Sequence, residues 1–290
     1  MAFLNESFEE YYRSCFGDRW TSLRQSLLKR AGAVPYAGGR TALLSAPYFL
    51  DRASVLAALS LRLPEEGLIL DACAAPGGKS LVIASNMSGE TRLLSNEFSG
   101  ERRRRLAKVL DGHLDSALRE RVRVSGFDAA ALAGKKSERG RFDAVLLDVP
   151  CSSEAHVLQS PAALAQWTSA RPRFLAKRQW ALLSAAFLLL RPGGSLVYVT
   201  CALSPGENDG VVSRLREKYG NALIPDAPDF PEGEKTAHGR RILPDTADGM
   251  GPMYVARFRK AVSPGNNPPG EEKAPGAAGW DRRGSGRRNG

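Results

Sequence analysis

Leu68-Ile69-Leu70-Asp71-Ala72-Cys73-Ala74-Ala75-Pro76-Gly77-Gly78-Lys79-Ser80 runs from a short apolar segment directly into a loop built almost wholly of small residues. The apolar start reads as a strand covered on both faces, and the stretch Gly78–Ser85 reads as the helix that follows it. Strand, Gly-rich loop and helix form the opening unit of an open α/β sheet. In such sheets a ligand lies beyond the carboxyl ends of the strands, near the switch in strand order. Small residues let it approach the backbone, and the helix N-terminus offers free N–H donors. Taken alone, the turn reads equally as a plain strand–helix connector.

The same alternation continues outward. Strands are expected at Leu68–Ala72, Arg92–Asn96, Val122–Val124, Phe142–Asp148 and Ser195–Thr200, with helices near Gly100–Leu110, Pro161–Trp167, Phe174–Leu190 and Asn208–Tyr219. The pattern predicts a mostly parallel sheet with helices on both faces. Arg240–Leu243 and Met253–Phe258 read as an antiparallel hairpin finishing the sheet edge. Upstream, Phe8, Tyr11, Tyr12 and Phe16, then Leu23, Leu27 and Leu28, fall at helical spacing. Two short helices are expected there, ending in the Gly-rich Tyr36–Arg40, with a third over Asp51–Leu61. The division expected is a helical lead-in over 1–62, a catalytic domain over 63–260, and a disordered Pro/Gly/Arg-rich tail over 261–290.

The second strand ends Ser95-Asn96-Glu97, which places a carboxylate about 20 residues beyond the loop, where a ribose diol is usually gripped. GxGxxG is absent and Pro76 interrupts the loop, so a dinucleotide fits poorly. A nucleoside without pyrophosphate fits better, which points to S-adenosylmethionine. Asp128, ending the third strand in Gly126-Phe127-Asp128, could accept from an adenine amino group.

Cys151 and Cys201 each stand just past the end of a long apolar strand, Leu146–Cys151 and Val197–Cys201. If those strands are neighbours, both thiols project into the ligand crevice. The plainer alternative is cysteine as a small apolar residue near a core, and it is the reading preferred for Cys15 and Cys73. A thiol pair beside an activated methyl donor suits carbon 5 of cytosine. A thiolate adding at carbon 6 turns the ring into an enamine-like nucleophile, dividing one hard step into two easier ones. An acid must then support the ring nitrogen at position 3. Asp148 is placed for this, provided burial or a neighbouring charge keeps it protonated. The carbon-5 proton must also be removed before the thiol departs, a task for the second cysteine.

The chain has 290 residues, with 43% hydrophobic content and a net charge of +10 (41 − 31). It can hold one large domain with additions. A basic excess of this size favours a polyanionic partner, nucleic acid first. No apolar run reaches the ~20 residues of a membrane helix, and the N-terminus lacks a signal-peptide pattern, so no membrane contact and a cytoplasmic location are expected. Four widely spaced cysteines and three isolated histidines make neither a disulfide framework nor a zinc site.

Three ordered motifs carry a resemblance: Asp71–Lys79, then Asp148-Val149-Pro150-Cys151-Ser152, then Thr200-Cys201 with Glu207-Asn208, together with a closing Gly251-Pro252-Met253-Tyr254. Over roughly residues 30–260 the chain resembles the RNA cytosine-5 methyltransferases of the RsmB/NSUN type. The resemblance implies a Rossmann-like, S-adenosylmethionine-dependent methyltransferase fold. It gives the nucleophile to Cys201 and the release step to Cys151. It also implies cofactor contacts from Cys73, Ala74, Ala75, Pro76, Gly77, Gly78 and Lys79, and from Glu97, Arg102, Asp128 and Asp148, with Lys79 near the target base. Two departures stand out. Glu97 replaces the commoner Asp, and Ser153-Glu154-Ala155-His156 lacks a glycine common in many members, which is closer to compact relatives that modify ribosomal RNA.

No separate RNA-binding domain is evident, so target choice falls to the N-terminal helices, to Arg-rich surfaces or to a partner protein. Arg102 is read as a cofactor-side contact, and Arg103, Arg104 and Arg105 as solvated helix surface. Arg171, Arg173, Lys177 and Arg178 could line a phosphate track, making binding strongly salt-dependent. The expected substrate is RNA, ribosomal before transfer RNA. The competing readings are a DNA cytosine methyltransferase and a non-catalytic RNA-binding ribosome-assembly factor.

Overall fold

The structure, a computed structural model, describes residues 7–29 and 32–262. The expected disordered tail, beyond Ala261 and Val262, lies outside the described residues. Helices α1 (Phe8–Phe16) and α2 (Trp20–Leu28) lead into strands β1 (Ala33–Gly38) and β2 (Leu43–Asp51), then helix α3 (Arg52–Leu59). The alternating region follows: β3 (Glu66–Asp71), α4 (Gly78–Ala84), β4 (Glu90–Asn96), α5 (Gly100–His113), α6 (Ser116–Glu120), β5 (Val122–Ser125) and α7 (Ala129–Leu132). Strand β6 (Phe142–Asp148) is followed by α8 (Glu154–Gln159), α9 (Pro161–Ala165) and α10 (Ala170–Leu189). Then come β7 (Leu190–Thr200), α11 (Asp209–Tyr219) and four closing strands, β8 (Leu223–Pro225), β9 (Glu234–Lys235), β10 (Arg240–Ile242) and β11 (Met253–Lys260).

The main sheet runs β5-β4-β3-β6-β7-β11-β10-β9, with β8 on the side of β11. Strands β5 through β7 are parallel, and β11 runs antiparallel to both β7 and β10. The expected C-terminal hairpin is therefore present, and it closes the sheet. Both faces are covered. Along β6, Ala144 and Leu146 join one core with α4 and α5, while Val145 and Leu147 join the other with α10 and α11. That two-sided burial explains why these strands lack polar alternation.

The chain leaves β3 towards β4 and β5, then returns to place β6 on the other side of β3. The switch point thus lies between β3 and β6, and the loops leaving their carboxyl ends part around it. Strand β7 lies next to β6 in parallel register, with Asp148 opposite Val199. The loops carrying Cys151 and Cys201 therefore start side by side.

The helical lead-in needs correction. The segment expected to end the helices in a Gly-rich loop is instead an antiparallel hairpin, with Tyr36 opposite Tyr48 and a bulge at Gly38. It roofs α4: the Tyr36 hydroxyl meets Ser85 Oγ at 2.9 Å, and Asn86 Nδ2 donates to the Tyr36 hydroxyl. Pro35 argues against a central strand, but a two-stranded ribbon consists only of edges, where proline is tolerated. The N-terminal helices themselves form as expected. Phe8, Tyr12, Trp20, Leu23 and Leu27 pack with Val157, Leu158, Trp167 and Leu203, so they lie over the segments that follow both cysteines.

Candidate active site

Three loops leave the carboxyl ends of β3, β6 and β7 and meet at the switch point. The first begins Ala72-Cys73-Ala74 and is tied to its neighbours by backbone bonds, Ala72 N–H to Leu146 and Ala74 N–H to Asn96. Arg102 from α5 donates to the Ala75 carbonyl at 2.8 Å and lies 3.4 Å from Glu97. Glu97 Oε1 accepts from the Ser99 N–H, whereas Glu97 Oε2 is buried without a hydrogen-bond partner, as is Asp71 Oδ1. Burial pushes the Asp71 carboxyl up to about 7 despite the bond from Ser80. A buried carboxylate oxygen just past β4, ion-paired with Arg102 but accepting no hydrogen bond, fits the hydroxyls of a ribose, so the residues present fit a nucleoside ligand here.

Gly77 and Gly78 also meet packing demands within the protein. A Cβ on Gly77, at φ +122°, would lie 3.0 Å from Val109, and one on Gly78 would lie 2.8 Å from Tyr48. Both glycines let the loop press against α5 and the hairpin. Asp128 caps α7 through the Ala130 N–H and takes Arg178 at 2.8 Å, both on Oδ1. Arg178 is thus ion-paired while still partly exposed, and Arg173 donates to the carbonyl of Ser169, the residue before α10. Asn96, not singled out from sequence, is a hub: its carboxamide bonds to Ala72 O, Phe127 O and the Phe127 N–H.

The two thiols do converge. Cys151 Sγ and Cys201 Sγ are 2.8 Å apart and both are free. Cys201 accepts from the Cys151 thiol, which lowers the Cys201 pKa below its ordinary value despite burial. That same bond, with burial, pushes Cys151 well up. Burial also raises Cys73 strongly, which keeps it a protonated, inert thiol. Beside the pair, Lys79 Nζ sits 2.7 Å from Asp148 Oδ2 and 3.3 Å from Ser54 Oγ. Burial pulls the Lys79 pKa down, but Asp148 more than offsets this, and the net shift is upward. The charge next to Asp148 is thus the Lys79 ammonium.

Beneath the thiols lies a network that sequence reasoning missed. Ser152 Oγ contacts Glu154 Oε1 and Glu207 Oε1, and both carboxyl groups are fully buried. Glu207 also accepts from the Ser152 N–H at 3.0 Å and from Gln179 at 2.7 Å. Glu154 accepts from Tyr12 and from the Leu203 N–H. A serine hydroxyl has one proton to donate, so two carboxyls can share it only if one of them is itself protonated. Burial, reinforced by Glu154, pushes Glu207 up to about 7.

The native state therefore keeps a proton that the unfolded chain releases near pH 4.5, and stability falls as pH rises between about 4.5 and about 7. The loss should be on the order of 3 kcal/mol. Glu207→Gln supplies a permanent donor to Ser152 and should remove this share of the slope, leaving the share that Asp71 contributes over the same range. Denaturation of both proteins at pH 5 and pH 8 checks it, since parallel pH dependence would show that the pair shares no proton.

The fold and the site together place the chain in the class with a Rossmann-like methyltransferase fold that carries two thiols at the ends of adjacent strands. It belongs to the RsmB/F family: residues 58–259 match the family described as 16S rRNA methyltransferase RsmB/F. The ribosomal RNA small subunit methyltransferase F of Aeromonas salmonicida (strain A449) is 36% identical over 250 residues, 83% of this chain and 51% of that protein. The protein of the same name from Escherichia coli O139:H28 is 35% identical over 225 residues, 75% of this chain and 46% of that protein. The chain thus spans about half the length of these curated relatives. Among solved structures, NSun6 from Pyrococcus horikoshii, determined with SFG, superposes with a TM-score of 0.63 at 26% identity, covering 75% of this chain and 54% of that one. A methyltransferase homologue from the same organism, at 20% identity and a TM-score of 0.65, covers 86% of this chain and 93% of that one and shares the fold.

Proposed function

We propose that this chain methylates carbon 5 of a cytosine in RNA, most readily ribosomal RNA, with S-adenosylmethionine as methyl donor and a covalent cysteine adduct as intermediate. The observation that carries the proposal is the meeting of Cys151 and Cys201 beside the Lys79–Asp148 pair, at the switch point of the sheet. The printed names of the curated relatives and of NSun6 agree with it.

The Ala72–Gly77 loop, Glu97, Arg102 and Asp128 would hold the donor, whose sulfonium supplies an electrophilic methyl group. Cys201, the thiol with the lowered pKa, attacks carbon 6 and leaves an anionic ring. Lys79 and Asp148 face that ring as a pair, the ammonium offsetting negative charge as it develops. Once Cys201 has bonded to carbon 6, Cys151 passes its own proton to water, and as the more basic of the two sulfurs its thiolate takes the carbon-5 proton. The carbon–sulfur bond to Cys201 then breaks and the methylated base leaves. For this chemistry the base must leave its stack.

On α10, Arg171, Phe174 and Lys177 project to solvent, with Phe174 at 71% exposure. Cations around an exposed aromatic ring suit a phosphate track with base stacking. Charge reversal at Lys177 should weaken RNA binding about tenfold and reduce the salt slope by roughly one. Filter binding across salt concentrations measures both, and an unchanged slope would exclude this face.

The activity itself is tested by methyl transfer to small-subunit ribosomal RNA from cells lacking the gene, followed by bisulfite mapping. One protected cytosine restored by the protein is expected. No restored position in ribosomal or transfer RNA would contradict the proposal.

A further inference from the structure

Ser153 lies between the two cysteine loops in a conformation that serine seldom adopts. Its φ of 53° and ψ of 56° are left-handed, and only one other non-glycine residue among those described, Asp248, has a positive φ. A Cβ in this region meets the following carbonyl, so the backbone at Ser153 carries strain that glycine would relieve. Strain of this kind persists only where its surroundings hold it, and it gathers at functional sites.

The Ser153 side chain gives the reason. Its hydroxyl lies 3.3 Å from Cys201 Sγ, 3.5 Å from Cys151 Sγ and 3.4 Å from the Cys151 carbonyl, so one oxygen spans both sulfurs and Cys201 is the nearest acceptor for its single proton. In a right-handed or extended conformation the Cβ would point elsewhere and both contacts would be lost. Cys201 is enclosed by groups of mixed sign: Cys151 after β6, Asp148 at the end of β6, Lys79 on α4 and Glu154 on α8. Asp148 and Glu154 oppose a negative sulfur. Among the groups favouring it, Ser153 adds a neutral donor with no charge of its own.

We propose that the Ser153 hydroxyl is a catalytic group of this site, donating to Cys201 Sγ and holding it as the thiolate, and that the left-handed turn is retained for this contact. The inference rests on the reading of Cys201 as the nucleophile. The Cys201 proton passes to water before attack, and Ser153 keeps its own proton throughout. When the sulfur bonds to carbon 6 its charge moves to the ring, and the hydroxyl is free to donate to Cys151 once that thiol has passed its own proton to water.

The strain makes the test sharp, because stability and reactivity should move in opposite directions. Ser153→Gly removes both hydroxyl and strain, whereas Ser153→Ala removes the hydroxyl and keeps the strain. The rate of Cys201 alkylation by iodoacetamide, followed by peptide mass spectrometry across pH in the full chain, reports the thiolate without RNA or methyl donor. In both variants the apparent Cys201 pKa should rise by about one unit, giving about tenfold slower alkylation at a fixed lower pH. Ser153→Gly should melt no lower than the parent, and Ser153→Ala should melt lower than Ser153→Gly. An unchanged alkylation profile in Ser153→Gly overturns the inference, even if methyl transfer slows. Because alkylation needs no substrate, the inference can fail while the proposed methylation stands, and the methylation can fail while the alkylation shift remains.

Discussion

Cys201→Ala is expected to abolish methyl transfer, with a loss on the order of a thousandfold or more. Carbon 5 of cytosine is too weak a nucleophile to take a methyl group until a thiolate has added at carbon 6. Cys201 is the sulfur whose charge the site favours, because it accepts from Cys151. The variant should fold normally. Cys201 is a small residue at the start of a loop whose course is set by others: Thr200 bonds to Asn208, and the Asn208 amide donates to the Ala202 carbonyl. Single-turnover methyl transfer and gel-shift detection of an RNA adduct measure the effect, and both should be lost together. A variant that still methylates within tenfold of the parent would show that the nucleophile lies elsewhere.

Cys151→Ala should behave in the opposite way, accumulating protein–RNA adduct that survives denaturing electrophoresis. Methyl transfer to the ring does not need this thiol, but release does, because the Cys201–carbon bond can break only after the carbon-5 proton has gone. Cys151 lies 2.8 Å from Cys201, close to the same ring atoms, and its raised pKa makes it the stronger base once ionised. Turnover should fall by about a hundredfold or more, the scale expected of a lost general base. Loss of adduct in Cys151→Ala, with adduct retained in Cys201→Ala, would exchange the roles and describe the order used by DNA enzymes.

Much of this was legible in the chain because it depends on local pattern. The later parts of β3, β6 and β7, Leu68–Leu70, Ala144–Leu147 and Leu196–Val199, announce themselves by apolar runs that two-sided burial permits, and the residues just past the strand ends lie at the crevice. The hairpin Ala33–Asp51 was not legible. Pro35 and the Gly38-Gly39 pair read as loop, and what makes the segment a ribbon is its contact with Ser85 and Asn86, some fifty residues away. The carboxyls of Glu154 and Glu207 were hidden for the same reason. Nothing nearby in sequence shows that one serine joins them beneath two separate loops, or that Tyr12 reaches Glu154 from the N-terminal helix. Gly77 and Gly78 signalled close approach, and two of the groups that come close, Val109 and Tyr48, could not be named from sequence. The partner of Asp148 was hidden as well: Lys79 reaches it from a helix 69 residues earlier in the chain.

The convergence of both sulfurs on one base is tested most directly by locating the adduct. RNA in which the target cytosine carries fluorine at carbon 5 can be attacked and methylated but has no carbon-5 proton to lose, so the protein should remain attached. Peptide mass spectrometry of the parent protein trapped in this way, with S-adenosylmethionine present, should find the nucleotide on Cys201 and Cys151 unmodified. Finding it on Cys151, or finding no attachment at all, would contradict the account.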